Sequence, residues 1–403
     1  MLFKMAFRNL LRNKRRTLLT SLMMIGGYTF ISMSLALVNG SYGQIISAFT
    51  EQYTGHVQVA NNDFVENPSL QKTIAHYNDR INEIEKNDLV RIVAPRIYSE
   101  ALLYSKNKTF GAEIVGIDPK REMDATHYDK RIFEGIPFDK DDTNYKAIIG
   151  KKIAKILSAK IGEDIVLISQ GADGSIANDI FKIVGIIGTE QEGKDDYRVY
   201  LPLKTAAEFY TLYGRVHELS IHLKDFNKAR NFAQNLHFTD KNLIARPWQI
   251  VESDFYRAMN VDQRANNISI FILILMVGVG ILNTILMSTL ERTREFGVLK
   301  ALGTLPKQLF SLILMEGIFL SLICTAVGLI FSLSLNYYLT KNGIVFSEPI
   351  PVAGTTISEL RAQISLDSYL YPTLLIILTT LLATLYPGIK SSKIGVSEAL
   401  REI

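Results

Sequence analysis

Four long apolar runs, each with little or no charge, constrain this 403-residue chain more than any other feature. Residues 17–38 carry no charged side chain, and none follows until Glu51. Residues 265–290 and 368–389 are also uncharged, and residues 308–340 contain a single acid, Glu316. An apolar helix of about 20 residues crosses a bilayer, where every backbone N–H and C=O must be satisfied within the segment. The first run is too long for the apolar core of a signal peptide, which spans about 7–15 residues. Spans are therefore predicted at 17–41, 265–290, 307–340 and 368–389.

Between the first two runs the chain changes character. Residues 42–264 alternate β-rich stretches (56–60, 89–98, 109–117, 164–169, 181–187) with helix-like ones (70–86, 147–159, 203–212, 227–236). Turn signals such as Asn67-Pro68 and Asp118-Pro119 separate them. This predicts an α+β domain of two subdomains. Residues 341–367 read as a polar loop with Pro349 and Pro351, and 390–403 as a short tail. The composition, 48% hydrophobic and 21% charged, fits a few spans plus a large water-exposed domain. The fold class is thus integral membrane: four transmembrane helices with an α+β extracytoplasmic domain inserted between helices 1 and 2.

Positive charge sets the expected topology. Lys4, Arg8, Arg12, Lys14, Arg15 and Arg16 precede the first span. Arg292, Arg294, Lys300 and Lys307 lie between the second and third, and Lys390 and Lys393 follow the fourth. Four spans put all three groups on one side, which the positive-inside rule makes cytoplasmic. Both termini are then cytoplasmic. Residues 1–16, with Phe3, Phe7, Leu10 and Leu11 on one face and basic residues on another, read as an amphipathic helix on the membrane surface.

Catalytic chemistry finds little support. Residues 188–195, GTEQEGKD, match a phosphate loop as far as its lysine, but Asp195 stands where the Mg²⁺-binding Ser/Thr belongs. The six histidines are scattered without metal-ligand spacing, so no metal site is expected. The single cysteine, Cys324, excludes an intrachain disulfide or a CxxC pair. No G-x-S-x-G elbow occurs. The net charge of +4 is modest and unevenly spread, which argues against nucleic acid as a partner. Within the runs, Glu316 reads as an interfacial anchor or a partner for a neighbouring helix. Ser32, Ser34 and Asn283 are candidates for hydrogen bonds between helices.

The segment ERTREFGVLKALG at 291–303 is unusual for a connection between spans. Glu291, Arg292, Arg294 and Glu295 crowd its start, Lys300 lies further on, and Val298, Leu299, Leu302 and Leu305 recur at i, i+1, i+4, i+7 spacing. This predicts a short helix at 291–306, apolar on its membrane side and charged toward a soluble partner. A plain solvated charge run that anchors two spans is the alternative.

That segment resembles the coupling stretch of the ABC permease superfamily that includes macrolide-exporter, FtsX-like and lipoprotein-releasing permeases. The layout of one span, a large domain and three more spans is similar too. AFRNLLRNKRRTLLT (6–20), YTGHVQVA (53–60) and AIIGKKIAKILSAKIGEDIVLIS (147–169) resemble the lipoprotein-releasing LolC/LolE branch. The resemblance implies a multi-pass permease subunit of the bacterial inner membrane, not itself an enzyme, paired with a second copy or a paralogue in the lipid bilayer. It implies a dimer of separate ATPase subunits holding ATP and Mg²⁺, with no cofactor on this chain. It places the ATPase contact at Glu291, Arg292, Arg294, Glu295, Gly297, Lys300 and Gly303. It further implies lipoprotein extraction, hand-over to a periplasmic carrier, and an acyl-chain cleft between paired first and second spans. Helical spacing assigns that cleft to Met24, Tyr28, Ile31, Leu35, Ile270, Ile274, Val277 and Ile281. Alternatives within the superfamily are a mechanotransmission or efflux permease of the macrolide-exporter type, which normally carries its ATPase in the same chain, and an FtsX-like regulator of a cell-wall hydrolase. A membrane-anchored binding module without an ATPase is a further class, which the charged segment argues against.

Overall fold

A computed structural model describes residues 14–395, apart from 141, 143, 189–192, 239, 353 and 354. The expected amphipathic helix at 1–16 and the end of the tail fall largely outside these residues. Four helices are long and apolar enough to cross a membrane. They cover Lys14–Phe49, Ser253–Glu291, Pro306–Asn342 and Asp367–Lys393. We call them the first to fourth span helices. The first two run well past the apolar runs at 17–41 and 265–290. An α-helix closes its own backbone hydrogen bonds and so has no reason to stop where the lipid does.

The chain divides into two compact units, a membrane unit and a sheet unit that is chiefly Gln44–Ala258. In the sheet unit the strands are β1 (Val57–Asn61), β2 (Ile74–Ala75), β3 (Val90–Ser105), β4 (Lys108–Ile117), β5 (Ile132–Gly135) and β6 (Lys146–Gly150). They continue with β7 (Asp164–Gln170), β8 (Ile176–Ile187), β9 (Arg198–Pro202), β10 (Arg215–Val216), β11 (Glu218–Leu223) and β12 (Leu243–Pro247). Among the described residues ten of these form one sheet in the order β12-β1-β11-β3-β4-β9-β6-β8-β5, with β7 bridging β3 and β8. The 16-residue β3 belongs to both halves of that sheet, so no break in pairing separates two subdomains. One core cluster of this unit joins Val115, Ile117, Tyr128, Phe138, Ile148, Ile187 and Tyr200. The helix Leu203–Phe209 lies over β4 at Gly116, where a Cβ would come within 2.6 Å of the Ala206 Cβ.

Two expectations are corrected here. Residues 147–159 begin as strand β6 and turn helical only at Lys151–Leu157. The run Ala147–Ile149 is fully buried, and a sheet buried on both faces needs no alternation, which removes the period that marks a strand. The polar loop at 341–367 holds a strand pair, Ile344–Val352 with Thr355–Leu360. A two-stranded ribbon has only edges, where proline is tolerated.

Two buried histidines are structural acceptors. Nδ1 of His217 accepts the Tyr98 N–H at 3.0 Å, and Nδ1 of His56 accepts the Leu223 N–H at 2.8 Å. Burial pulls both imidazoles down to about 4, with Arg91 adding to the effect at His56. Above the ordinary imidazole value of 6.5 both the folded and unfolded chains hold these rings neutral. As pH falls from there toward about 4, only the unfolded chain takes up the protons, so folding stability falls. The loss is on the order of 3 kcal/mol per histidine. Unfolding of the purified protein, measured across this window, is expected to show that slope, and His217→Gln should flatten it. A stability that is level from neutral pH to about 4 would exclude the effect.

Candidate functional site

The segment between the second and third spans folds as a separate short helix because the backbone turns at Arg292 (φ −102°, ψ 12°). The helix Thr293–Ala301 then runs to Leu302 and ends at Gly303, whose φ of +95° favours glycine. Pro306, at the first turn of the next helix, has no N–H to leave unsatisfied. Phe296 is buried against Leu309, Leu312 and Ile313 and docks the short helix on the third span.

Two side chains, Arg292 and Lys300, tie this helix to the third and fourth span helices. Nη1 of Arg292 donates to both carboxylate oxygens of Glu316, at 3.0 and 3.2 Å. Nε of Arg292 donates to Glu295 at 3.2 Å, and its guanidinium lies 5.1 Å from the Phe296 ring centroid. Lys300 Nζ donates to the carbonyls of Ser392 and Ile394, each at 2.6 Å. These belong to the end of the fourth span helix, where carbonyls lack intrahelical partners and the helix dipole favours a cation.

The seven residues expected to face an ATPase therefore separate. Arg292, Gly297 and Lys300 point into this chain, and Glu295 is partly covered by Arg292. Gly303 forms the exposed turn. Glu291 and Arg294 are exposed, and the exposed surface continues through Val298, Leu302 and Leu305, which keep 46, 78 and 60% of their surface. The apolar stripe thus joins the outward side of the helix. Alternating charge hid this, because Arg292 and Lys300 look like solvent residues until their partners are known.

The eight residues assigned to the acyl-chain cleft differ in their surroundings. Met24, Tyr28, Val277 and Ile281 form one buried cluster with Leu320, Cys324, Ile376 and Ala383. Ile31 and Ile270 are buried as well, while Leu35 and Ile274 are partly exposed. This face packs against the chain's own third and fourth spans. The Tyr28 hydroxyl donates to the Tyr369 carbonyl at 3.1 Å, and its ring packs on Gly328, where a Cβ would sit 2.9 Å from Cδ1. The outward faces are Leu18, Leu19, Leu22, Met23 and Phe30 on the first span, and Phe271, Ile272, Leu275, Met276 and Val279 on the second. Both spans are apolar all round, so spacing alone does not say which side is inside. Ser34 donates to Asn266 at 2.8 Å and Ser32 accepts from Asn336 at 3.2 Å, while Asn283 is exposed.

In the sheet unit two residues of the broken phosphate loop, Lys194 and Asp195, make ion pairs. Lys194 pairs with Glu252 at 3.2 Å, and Asp195 pairs with Arg131 and accepts from Tyr200 Oη at 2.6 Å. Lys194 also borders a cleft of about 770 Å³ floored by Tyr53, Thr54, Tyr98 and Glu218.

The Arg292–Glu316 pair is 10 and 16% exposed, so removing one partner strands the other away from water. A double-mutant cycle with Arg292→Gln and Glu316→Gln, read by unfolding in detergent, is expected to give a coupling of about 1–3 kcal/mol. Additive single effects would show that the two side chains do not support each other.

The family model described as MacB-like periplasmic core domain matches residues 17–236, more than half of the chain. The model described as FtsX-like permease C-terminal matches 267–396. The lipoprotein-releasing system transmembrane protein LolC of Neisseria meningitidis serogroup B is 20% identical over 391 residues, which are 93% of this chain and 91% of that protein. LolC of Buchnera aphidicola subsp. Schizaphis graminum is 26% identical over 72% of each chain. The macrolide export ATP-binding/permease protein MacB of Aggregatibacter actinomycetemcomitans is 23% identical over 82% of this chain and 52% of its own length, so this chain spans about half of that relative. Four span helices with a MacB-like periplasmic α/β domain between the first and second, together with both family matches, give one conclusion: the chain belongs to the MacB-like and FtsX-like superfamily of ABC permeases.

Proposed function

We propose that this permease extracts lipoproteins from the bacterial inner membrane, driven by ATP hydrolysis on a separate pair of ATPase subunits and working beside a second permease. The observation that carries the drive mechanism is the short helix Thr293–Ala301. It is held by Arg292–Glu316 and Lys300, yet exposes Arg294, Val298, Leu302 and Leu305. A partner pressing on that face pushes the second and third spans, because the helix has no independent freedom. The distribution of Lys and Arg supports a cytoplasmic position for this face and for both termini. Mg²⁺ and ATP belong to the partner in this reading, since the lysine and aspartate of the broken phosphate loop serve ion pairs. The lipoprotein branch is favoured by the alignment with the Neisseria LolC, which extends over nine-tenths of both chains. Hand-over to a periplasmic carrier follows from the same branch.

A second reading, export of the macrolide-exporter type, is favoured by the match of residues 17–236 to the MacB-like core model. Purification from the native membrane separates the two. Triacylated lipoproteins identified in the complex by mass spectrometry support extraction, and a small amphiphile with no lipoprotein supports export. Leu302→Asp is expected to cut ATP-dependent release by about 10- to 100-fold by weakening the ATPase contact, with expression unchanged. Full release with Leu302→Asp removes the coupling role from this face.

A further inference from the structure

The cleft of about 770 Å³ in the sheet unit is built entirely from residues between Tyr53 and Glu252, within one compact unit. One wall is the π-helical turn Thr50–Thr54, through which the chain passes from the first span helix into β1. Arg96 Nη1 donates to the Tyr53 carbonyl there, and the Tyr53 ring lies 5.0 Å from the Arg131 guanidinium carbon. Phe64, stacked on His217 at 4.9 Å between ring centroids, adds a second aromatic surface. A cleft of this size takes a small organic molecule.

Its charge says which kind. Four carboxylates and two basic side chains line it. Both bases are already occupied. Arg198 donates to the two oxygens of Glu113 at 2.7 and 3.2 Å, and Lys194 donates to Glu252 at 3.2 Å. Glu100 and Glu218 are left. Glu218, at the start of β11, is only 6% exposed. Tyr98 Oη donates to its Oε1 at 3.3 Å, and Arg96 Nη1 lies 3.7 Å from the same oxygen. Arg96 is bound more closely to Glu122, at 3.1 and 2.7 Å, and Arg246 attracts Glu218 without bonding to it. Glu218 Oε2 has no hydrogen-bond partner among the described residues. A buried acceptor that lines a cleft favours a cationic donor.

The strand extends the site. Side chains two apart on β3 share a face, so Tyr98, Glu100 and Leu102 point the same way at intervals of about 7 Å. Glu100 lies opposite Glu113, and Leu102 lies opposite both Gly111 and Ile168. Like charges across a pair repel, and Arg198 relieves only Glu113. A shallower hollow of about 470 Å³ continues from Glu100 and Glu113 over Leu102 and Ile168. These two apolar side chains keep 45 and 39% of their surface. Acid at one end and bare apolar surface at the other complement an amphiphilic cation.

We propose that this cleft binds an organic cation with an apolar body, its ammonium at Glu218 and its body on Leu102 and Ile168, with Glu100 adding attraction between them. The proposal goes beyond the transporter reading and does not rest on it: the site lies in one domain of one chain and needs neither ATP nor a second permease.

The test uses the full chain in nanodiscs of zwitterionic lipid, titrated calorimetrically against empty discs. The probe is phenylbutylamine. Phenylbutanol and phenylbutyrate keep its body and replace the ammonium by a hydroxyl or a carboxylate. The amine is expected to bind about tenfold more tightly than either. Glu218→Gln should weaken amine binding about tenfold and Glu100→Gln about threefold, with the alcohol unaffected. The Glu100 carboxylate has no partner among the described residues, so its variant keeps the fold and reports on the cleft alone. Leu102→Ser should weaken all three probes alike. An amine that binds no more tightly than the carboxylate, or equally well to wild type and both glutamine variants, overturns the site.

Discussion

A charge moved out of water must be paired, and this requirement shapes both units of the protein. In the membrane unit, Arg292 sits where a helix breaks and finds Glu316, the one acid in the third apolar run. In the periplasmic domain, Arg96 binds Glu122 and Arg131 binds Asp195, each with little exposure. Such pairs add less stability than their geometry suggests, because desolvation offsets most of the attraction. Their effect is on uniqueness: a helix with a buried two-point ion pair has few alternative positions. The short helix between the second and third spans is held in place by such a pair.

The interior of the membrane unit follows other rules. Lipid is as apolar as leucine, so apolar surface gives the helices little reason to choose partners. Selection comes from close fit and from polar contacts. Tyr28 sits over Gly328 and donates to Tyr369, and Asn336 donates to both Ser32 and the Tyr369 hydroxyl at 3.2 and 3.3 Å. At Gly317 a Cβ would collide with the Thr384 methyl, so only glycine lets the third and fourth spans approach there. These contacts join the first and third spans to the fourth and leave the outward faces of the first two spans exposed.

Much of this architecture is legible in the chain itself. Four apolar runs mark the spans, and the charged stretch at 291–303 marks a segment apart from a plain turn. The boundaries were less legible where signals overlap. A buried strand and a buried helix both read as apolar, which is why 147–159 looked helical throughout. The site was legible in its location and not in its direction. Arg292 and Lys300 turn inward to Glu316 and to the ends of the fourth span, and no local pattern reveals partners 24 and 92 residues away. Tyr53 had no signal at all. It stands in a segment marked only by family likeness, and its contacts are with arginines 43 and 78 residues further on.

By itself, the sequence determined that this protein spans a membrane four times with a water-exposed domain after the first span, because uncharged runs of that length have no other stable solvent. Local spacing also placed the short helix between the second and third spans. Only the tertiary structure decided which faces of the spans are inside, which charges are internal ties and how the first span enters the sheet. Those choices depend on pairing between distant residues, and a helix that is apolar on every side carries no local record of its neighbours.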